Sequence, residues 1–425
     1  MTLTITLMVL FGLLLLRIPI SISLMLSGLV GFALAAGMQT AILTLPQMMY
    51  SGLDAFVIAA IPLYILMGQI MLKGMIGRDL FDIAQWSVGR LPGGLLVATI
   101  VACAFFAAIS GSSTATVATI GGVALPELLR RGHGRGTSAG ALAMAGSLGI
   151  LIPPSTQFIL YSLVTNASVG KLFAAGVLPG VLLAALFSLW AAITDLTQVS
   201  RHKDQSVGKI RLHGAMIWSI LIIPLVLGGI YMGWFTPTEA AAVGVLYALF
   251  ATVVVKRSLT WLALYEALRD SVVSSGMILM LIAGADIFSR ALSILQVPQH
   301  ITTWIAAQHL ALWQFMIVIN MVYIVVGMFM DSSAAILVTV PILLPVLEAM
   351  HINLVWFGVI LIINMEIGAV TPPVGMNLFV IQALRSDYAI SEILLGALPY
   401  VLMALIGLAL VFIFPQIALV LANRL

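Results

Sequence analysis

Serine and threonine hydroxyls are the residues of this chain best placed to do chemistry. AISGSSTATV (108–117) puts Ser110, Ser112, Ser113 and Thr114 within five positions, and GMFMDSSAA (327–335) sets Asp331 beside Ser332. A serine attacks a carbonyl only with a base within hydrogen-bond reach. The histidines His133, His202, His213, His300, His309 and His351 all fall in or beside predicted loops, away from either cluster. No HExxH metalloprotease run is present. The sequence therefore argues against an enzyme. The other use of clustered hydroxyls is to ligate a cation or hydrogen-bond an anion, alongside backbone groups freed from helices.

Two stretches can free such groups. GILIPPSTQF from Gly149 and IGAVTPPVGMN from Ile367 each place two prolines inside an apolar run otherwise long enough to cross a membrane. Proline removes a donor and clashes with the preceding turn, so each pair breaks its helix. The first half of a broken helix then presents carbonyls that suit Na⁺, and the second presents amides that suit a carboxylate. In lipid such irregular backbone persists only where protein buries it or where it lines a cavity.

The elements holding these motifs must span a bilayer. The chain is 62% hydrophobic and only 8% charged, against about 25% charged in soluble domains. Apolar runs of roughly 18 residues recur, the pattern of a polytopic α-helical membrane protein. The 37 glycines suit close helix packing in lipid. A lone Cys103 allows no internal disulfide and no zinc site by itself. The net charge of +3 mainly sets topology and gives no reason to expect a nucleic-acid partner. MTLTITLMVLFGLLLLR lacks a basic start and is expected to be a first span, not a cleaved signal.

A shift of about 219 residues superposes the motifs on one another. Gly149 meets Gly368, Pro153-Pro154 meets Pro372-Pro373, Ser112-Ser113 meets Ser332-Ser333, and the GVLP ending at Pro179 meets the GALP ending at Pro399. Two copies follow, 1–205 and 206–425. RRGHGR (130–135) is basic while its counterpart LEAMHIN (347–353) has no Lys or Arg; the linker expected between Gly37 and Asp54 has none while its counterpart, the basic loop expected at 256–269, has three, and 77–90 has two while 291–315 has none. By the positive-inside rule the copies are inverted, an arrangement that sets a transport site at the repeat interface. The expected fold is all-α, with about ten transmembrane helices plus two re-entrant helical hairpins. Copy one holds scaffold helices in 3–72, hairpin one at 92–129 and a broken helix at 137–165. Copy two holds scaffold helices in 214–293, hairpin two at 314–346 and a broken helix at 354–384. Two short full crossings at 92–129 are the alternative to hairpin one.

SGSSTATVATIG, GSLGILIPPS, TPTEAAAVG, GMFMDSSA and GAVTPPVGMN together resemble the large membrane (DctM-type) subunit of tripartite ATP-independent periplasmic (TRAP) transporters, over essentially the whole chain. The resemblance implies an elevator transporter of the bacterial inner membrane, driven by Na⁺ at two or more sites. It implies two partners, a small four-helix membrane subunit and a periplasmic substrate-binding protein. It places one Na⁺ at Ser110 and Ser112 with carbonyls of Gly149, Ile152 and Pro153. The second falls at Gly327 with Gly368, Thr371 and Val374. A carboxylate-bearing solute (a C4-dicarboxylate, sialic acid or a similar organic acid) would lie between the tips, near Ser113, Thr114, Ser332 and Asn377. The rival reading of these hydroxyls is helix capping and tight packing. A stand-alone anion transporter of related architecture and a channel are the rival functions.

Charges inside the membrane are functional candidates by default. Asp331 either tunes the ion and substrate sites or caps its hairpin helix. Glu239 is expected to anchor an early helical turn, and Asp286 and Arg290, four apart, to pair. Glu366 is expected in the cavity or paired with a neighbour, and Arg17 and Lys73 snorkelling to the interface.

Overall fold

The structure, a computed structural model, describes residues 1–198, 214–308 and 310–425. The linker 201–211, the expected copy boundary at 205/206, and His202, His213 and His309 lie outside the described residues. Among the described residues every regular element is helical, and eight helices are long and apolar enough to cross a membrane. The chain is thus a multi-pass membrane protein. Length alone undercounts the apolar helices: α1, α2 and the interrupted helices fall below 18 residues, while both arms of the second hairpin just reach that length.

The first half runs α1 (Thr2–Leu15), α2 (Ile20–Ala36), α3 (Met38–Leu53), α4 (Ala60–Lys73), α5 (Ile76–Val88), α6 (Gly94–Ser110), α7 (Ser113–Arg130), α8 (Arg135–Ser147), α9 (Thr156–Thr165) and α10 (Val169–Gln198). The second runs α11 (Gly214–Tyr231), α12 (Pro237–Leu249, continued as a π-helix to Val255), α13 (Trp261–Ile294), α14 (Val297–Ala307), α15 (Leu312–Phe329), α16 (Ser332–Ala349), α17 (Leu354–Gly368), α18 (Met376–Leu384), α19 (Ile390–Ile413) and α20 (Gln416–Ala422). Each half holds a helix pair joined by a two-residue turn, α6–α7 and α15–α16, then an interrupted helix, α8–α9 and α17–α18.

Two segments differ from the sequence reading. The stretch 38–54, expected as a linker, forms α3, whose buried Ala41 and Met48 pack beside Phe32, Ile287 and Ala291. Its counterpart 256–269, expected as a basic loop, feeds directly into the 34-residue α13, with Thr260 capping its first turn. The charged residues Lys256, Arg257, Glu266 and Arg269 give this stretch a loop-like composition although α13 begins at Trp261. Glu239 does anchor the start of α12, in a reciprocal capping box with Thr236 and with Pro237 in the first turn.

Helices approach closely where glycines meet. A Cβ on Gly140 of α8 would lie 2.0 Å from the Gly396 carbonyl carbon on α19, and one on Gly396 would lie 1.8 Å from the Gly136 carbonyl oxygen. A Cβ on Gly284 of α13 would lie 2.3 Å from the Ser21 carbonyl oxygen on α2. This is the small-residue packing that lipid favours.

Ion pairs fasten other helices. Lys73 does not snorkel: it pairs with Glu266 at 2.8 Å and Asp270 at 3.5 Å, because α13 lies alongside α4. Asp79 of α5 pairs with Lys256 and accepts from the Ser219 hydroxyl at 2.6 Å. Asp286 and Arg290 pair as expected, at 2.7 Å. In the turn between α18 and α19, the Arg385 guanidinium holds the Asp387 carboxyl below the usual carboxylate range, and Arg135 at the start of α8 joins it at 3.1 Å. A cleft of about 960 Å³ opens beside the contact between α16 and α13 and reaches the start of α12, with Phe235, Thr236, Asp286, Leu337 and Pro341 on its walls.

Two outcomes test this packing. Gly140→Val is expected to separate α8 from α19 and lower the thermal unfolding midpoint of the detergent-purified protein. Lys256→Ala leaves Asp79 mostly buried and unpaired, and is expected to cost about 3 kcal/mol in the same measurement.

Candidate functional site

Each hairpin tip lies against the interruption of its own half. The first tip turns at Gly111 (φ +58°), a left-handed position that glycine adopts without strain. The Ser112 carbonyl oxygen lies 2.5 Å from where a Cβ on Gly149 would sit, and the Pro154 carbonyl oxygen 2.7 Å from a Cβ on Gly111. No side chain fits between tip and break at either point. In the second half a Cβ on Gly368 would lie 2.5 Å from the Gly327 carbonyl carbon, and the Val374 amide donates to the Met328 carbonyl at 3.2 Å. Both prolyl pairs, Pro153-Pro154 and Pro372-Pro373, are joined by cis peptides within the breaks.

The hydroxyls at the first tip form one cluster. Ser110 Oγ lies 3.0 Å from Thr116 Oγ1 and donates to the Ser112 carbonyl at 3.3 Å; Thr116 donates to the same carbonyl at 2.7 Å. Ser112 Oγ lies 3.4 Å from Thr114 Oγ1 and caps α7. Thr116 was missed in the sequence, yet it sits one turn after Ser112 and 2.8 Å from a Cβ placed on Gly149. Of the other expected ion-site residues, Ile152 and Pro153 lie within the first break. Ile152 packs its side chain on Gly180, and its amide donates to the Leu148 carbonyl at 3.0 Å. Thr371 lies in the second break and donates its hydroxyl to the Ile367 carbonyl at 2.7 Å, leaving its oxygen lone pairs outward. Among the described residues no cluster of three His, Cys, Asp or Glu forms, so any cation held here would be ligated by carbonyls and hydroxyls.

A cavity of about 50 Å³ lies between the two tips, lined by Ser112, Ser113, Thr114, Gln157, Gly327, Asp331, Ser332, Ala369, Met376 and Asn377, with Ile150, Met330 and Met365 completing the wall. Four of the five residues expected at the substrate reach it through the first turns of α7, α16 and α18. The fifth, Asp331, faces it while capping α16: its carboxylate accepts from the Ser333 amide at 2.9 Å. The cap reading of Asp331 is therefore observed. Gln157 was missed; shifting Asn377 back by 220 residues finds it. The two amides make matching contacts across the halves. The Ser113 hydroxyl donates to Asn377 Oδ1 at 2.8 Å, and Gln157 Nε2 donates to Ser332 Oγ at 3.3 Å.

The electrostatics come from main chain. The first turns of α7, α9, α16 and α18 all contribute to the cavity wall, and helix N-termini carry partial positive charge. Among the described residues no Lys, Arg or His lines it. Glu366 is fully buried, outside the cavity wall, with no hydrogen-bond partner on either oxygen among the described residues; neither expectation for it is met.

Comparison with known proteins agrees with this architecture. The family described as tripartite ATP-independent periplasmic transporter, DctM component, matches residues 7–417. The chain is 39% identical to the C4-dicarboxylate TRAP transporter large permease protein DctM of Pseudomonas aeruginosa over 87% of each chain. It is 37% identical to the DctM of Rhodobacter capsulatus over 98% of this chain and 99% of that one. An ectoine TRAP transporter large permease of Halomonas elongata is 31% identical over 99% of each. Among solved structures, the Alcanivorax borkumensis YdaH transporter shares the fold, with a TM-score of 0.65, 16% identity and 90% of each chain covered. These relatives are permeases and not enzymes. The chain belongs to the DctM family, the large membrane permeases of tripartite ATP-independent periplasmic transporters.

Proposed function

We propose that this permease takes up a carboxylate-bearing solute by Na⁺-coupled secondary transport. The observation that carries the reading is the convergence of four helix N-termini on one cavity that no cationic side chain lines. Such a site attracts one carboxylate through amides and hydroxyls. Na⁺ would occupy the two tip–break contacts beside it. One is at Ser110, Ser112, Gly149, Ile152 and Pro153, the other at Gly327, Gly368, Thr371 and Val374, where carbonyls and hydroxyls gather without carboxylates. Solute would meet Ser113, Thr114, Ser332, Asn377 and Asp331. C4-dicarboxylates, ectoine and 2,3-diketo-L-gulonate, named for relatives of this chain, illustrate the range of carboxylates in question. Sialic acid belongs to the same chemical class.

The halves 1–205 and 206–425 act as inverted repeats in this reading, supported by the reversed loop charges and the matching order of hairpin, interrupted helix and long helix. The hairpins and interrupted helices form the moving body of an elevator. The scaffold comprises α1–α4 and α11–α13, held together by glycine contacts and the Lys73 pairs. The wide cleft beside the contact between α16 and the scaffold gives that body room. A small four-helix membrane subunit would extend the scaffold, and a periplasmic binding protein would deliver the solute at the inner membrane.

In proteoliposomes containing all three components, uptake is expected to saturate and to require an inward Na⁺ gradient; uptake indifferent to Na⁺ would overturn the reading. Ser112→Ala and Thr371→Ala should each raise the Na⁺ concentration for half-activation several-fold. Gly149→Ala should abolish uptake, because its Cβ would push the Ser112 carbonyl out of the first contact.

A further inference from the structure

The two amide clasps on the cavity wall are not equally tight. Asn377 is held at both ends of its amide. Its Oδ1 accepts from Ser113 at 2.8 Å, its Nδ2 donates to the Ala143 carbonyl at 3.0 Å, and the residue is fully buried. Gln157 is held at one end only. Its Oε1 accepts from the Thr156 hydroxyl at 2.9 Å, which fixes the direction of the amide. Its Nε2 reaches Ser332 at 3.3 Å, beyond the usual N–H···O range of about 2.7–3.2 Å. An amide nitrogen carries two N–H groups, and Ser332 takes at most one of them.

Gln157 is 7% exposed, so what its donors can reach is a protein group or the cavity's occupant. Burying such a donor without a partner is unfavourable, and the loose bond to Ser332 satisfies it only in part. Ser332, Gln157 and Ser113 are buried to a similar degree, at 9%, 7% and 8% exposure, so the two clasps differ in bond length and not in access to solvent.

Building on the carboxylate site proposed above, we infer that Gln157 is the specificity-determining residue of the cavity. When solute enters, Gln157 Nε2 exchanges the Ser332 oxygen for a carboxylate oxygen, and the Ser332 hydroxyl turns to donate to the same carboxylate. Asn377 and Ser113 keep their partners and hold the opposite wall. Among the described residues no cationic side chain lines the wall, and of its two amides, each with two N–H donors, only that of Asn377 already donates to a main-chain carbonyl, at Ala143. The length of Gln157 also sets how much of the cavity remains for the rest of the solute. A carboxylate at position 157 would repel the anion at almost unchanged shape; a methyl would remove the donor and enlarge the cavity.

The test uses the purified full chain in detergent, with thermal unfolding followed at saturating Na⁺ and added succinate, pyruvate or N-acetylneuraminate. The wild type is expected to be stabilised by at least one of these acids, only when Na⁺ is present. Gln157→Ala should weaken that binding tenfold or more and change which acid binds best. Gln157→Glu should abolish it. Both should keep the wild-type stabilisation by Na⁺ alone, whereas Asn377→Ala should lower the unfolding midpoint without any acid. Gln157→Glu binding the same acids with wild-type affinity would overturn the inference while leaving the carboxylate site standing. No stabilisation of the wild type by any of the three acids would count against the carboxylate site itself, and the inference with it.

Discussion

Backbone amides and carbonyls released by a helix break cost several kcal/mol each if they face hydrocarbon, and this chain breaks a helix twice in its interior. Neither break is relieved by a charged side chain. Each is covered by the tip of a hairpin from its own half, at approaches so close that Gly111, Gly149 and Gly368 admit no Cβ. The rest of the arrangement follows from that cover. Hairpins must be long enough to bring a tip to the break, and their turns must be two residues wide. The carbonyls and amides that remain must face one another or an enclosed space.

Charge is distributed accordingly. Ion pairs tie α4 to α13 through Lys73, Glu266 and Asp270, and α5 to the π-helical end of α12 through Asp79 and Lys256, while Asp286 and Arg290 pair within α13, all away from the cavity. On the cavity wall, formal charge is confined to Asp331, which is committed to capping α16. A site that relied on a lysine or arginine would hold a counter-charge permanently and would bind an anion whether or not a cation was present. Partial charges from four helix ends are weaker, so nearby cations weigh more in whether an anion stays.

Much of this was legible in the sequence because it is written in residues with strong local preferences. Proline pairs break helices wherever they stand, and the clustered serines at 110–113 and 332–333 have few uses inside an apolar helix pair. The Thr236–Glu239 capping box and the Asp286–Arg290 pair are also local, at spacings of three and four. What escaped notice depends on neighbours distant in the chain. Lys73 finds Glu266 across 193 residues. Gln157 looks like an ordinary early-helix residue until Ser332 lies opposite it. Thr116 reads as one more small residue on α7 until Gly149 brings the break against it. The continuous α13 was obscured by a different cause: its early turns carry Glu266 and Arg269, which read as loop composition, yet Glu266, with Asp270 one turn on, forms the face that meets Lys73.

The cross-half clasps have a thermodynamic consequence. Ser113 and Asn377 are 264 residues apart, and Gln157 and Ser332 are 175 apart, so neither half owns a whole cavity. An occupant of the cavity bridges both halves and binds the assembled chain but not the unfolded one. By mass action its presence at about 100 times its dissociation constant adds roughly 2.7 kcal/mol to the assembled form. Cargo is in that sense a fastener, and a permease working at full load is a sturdier protein than the same permease starved.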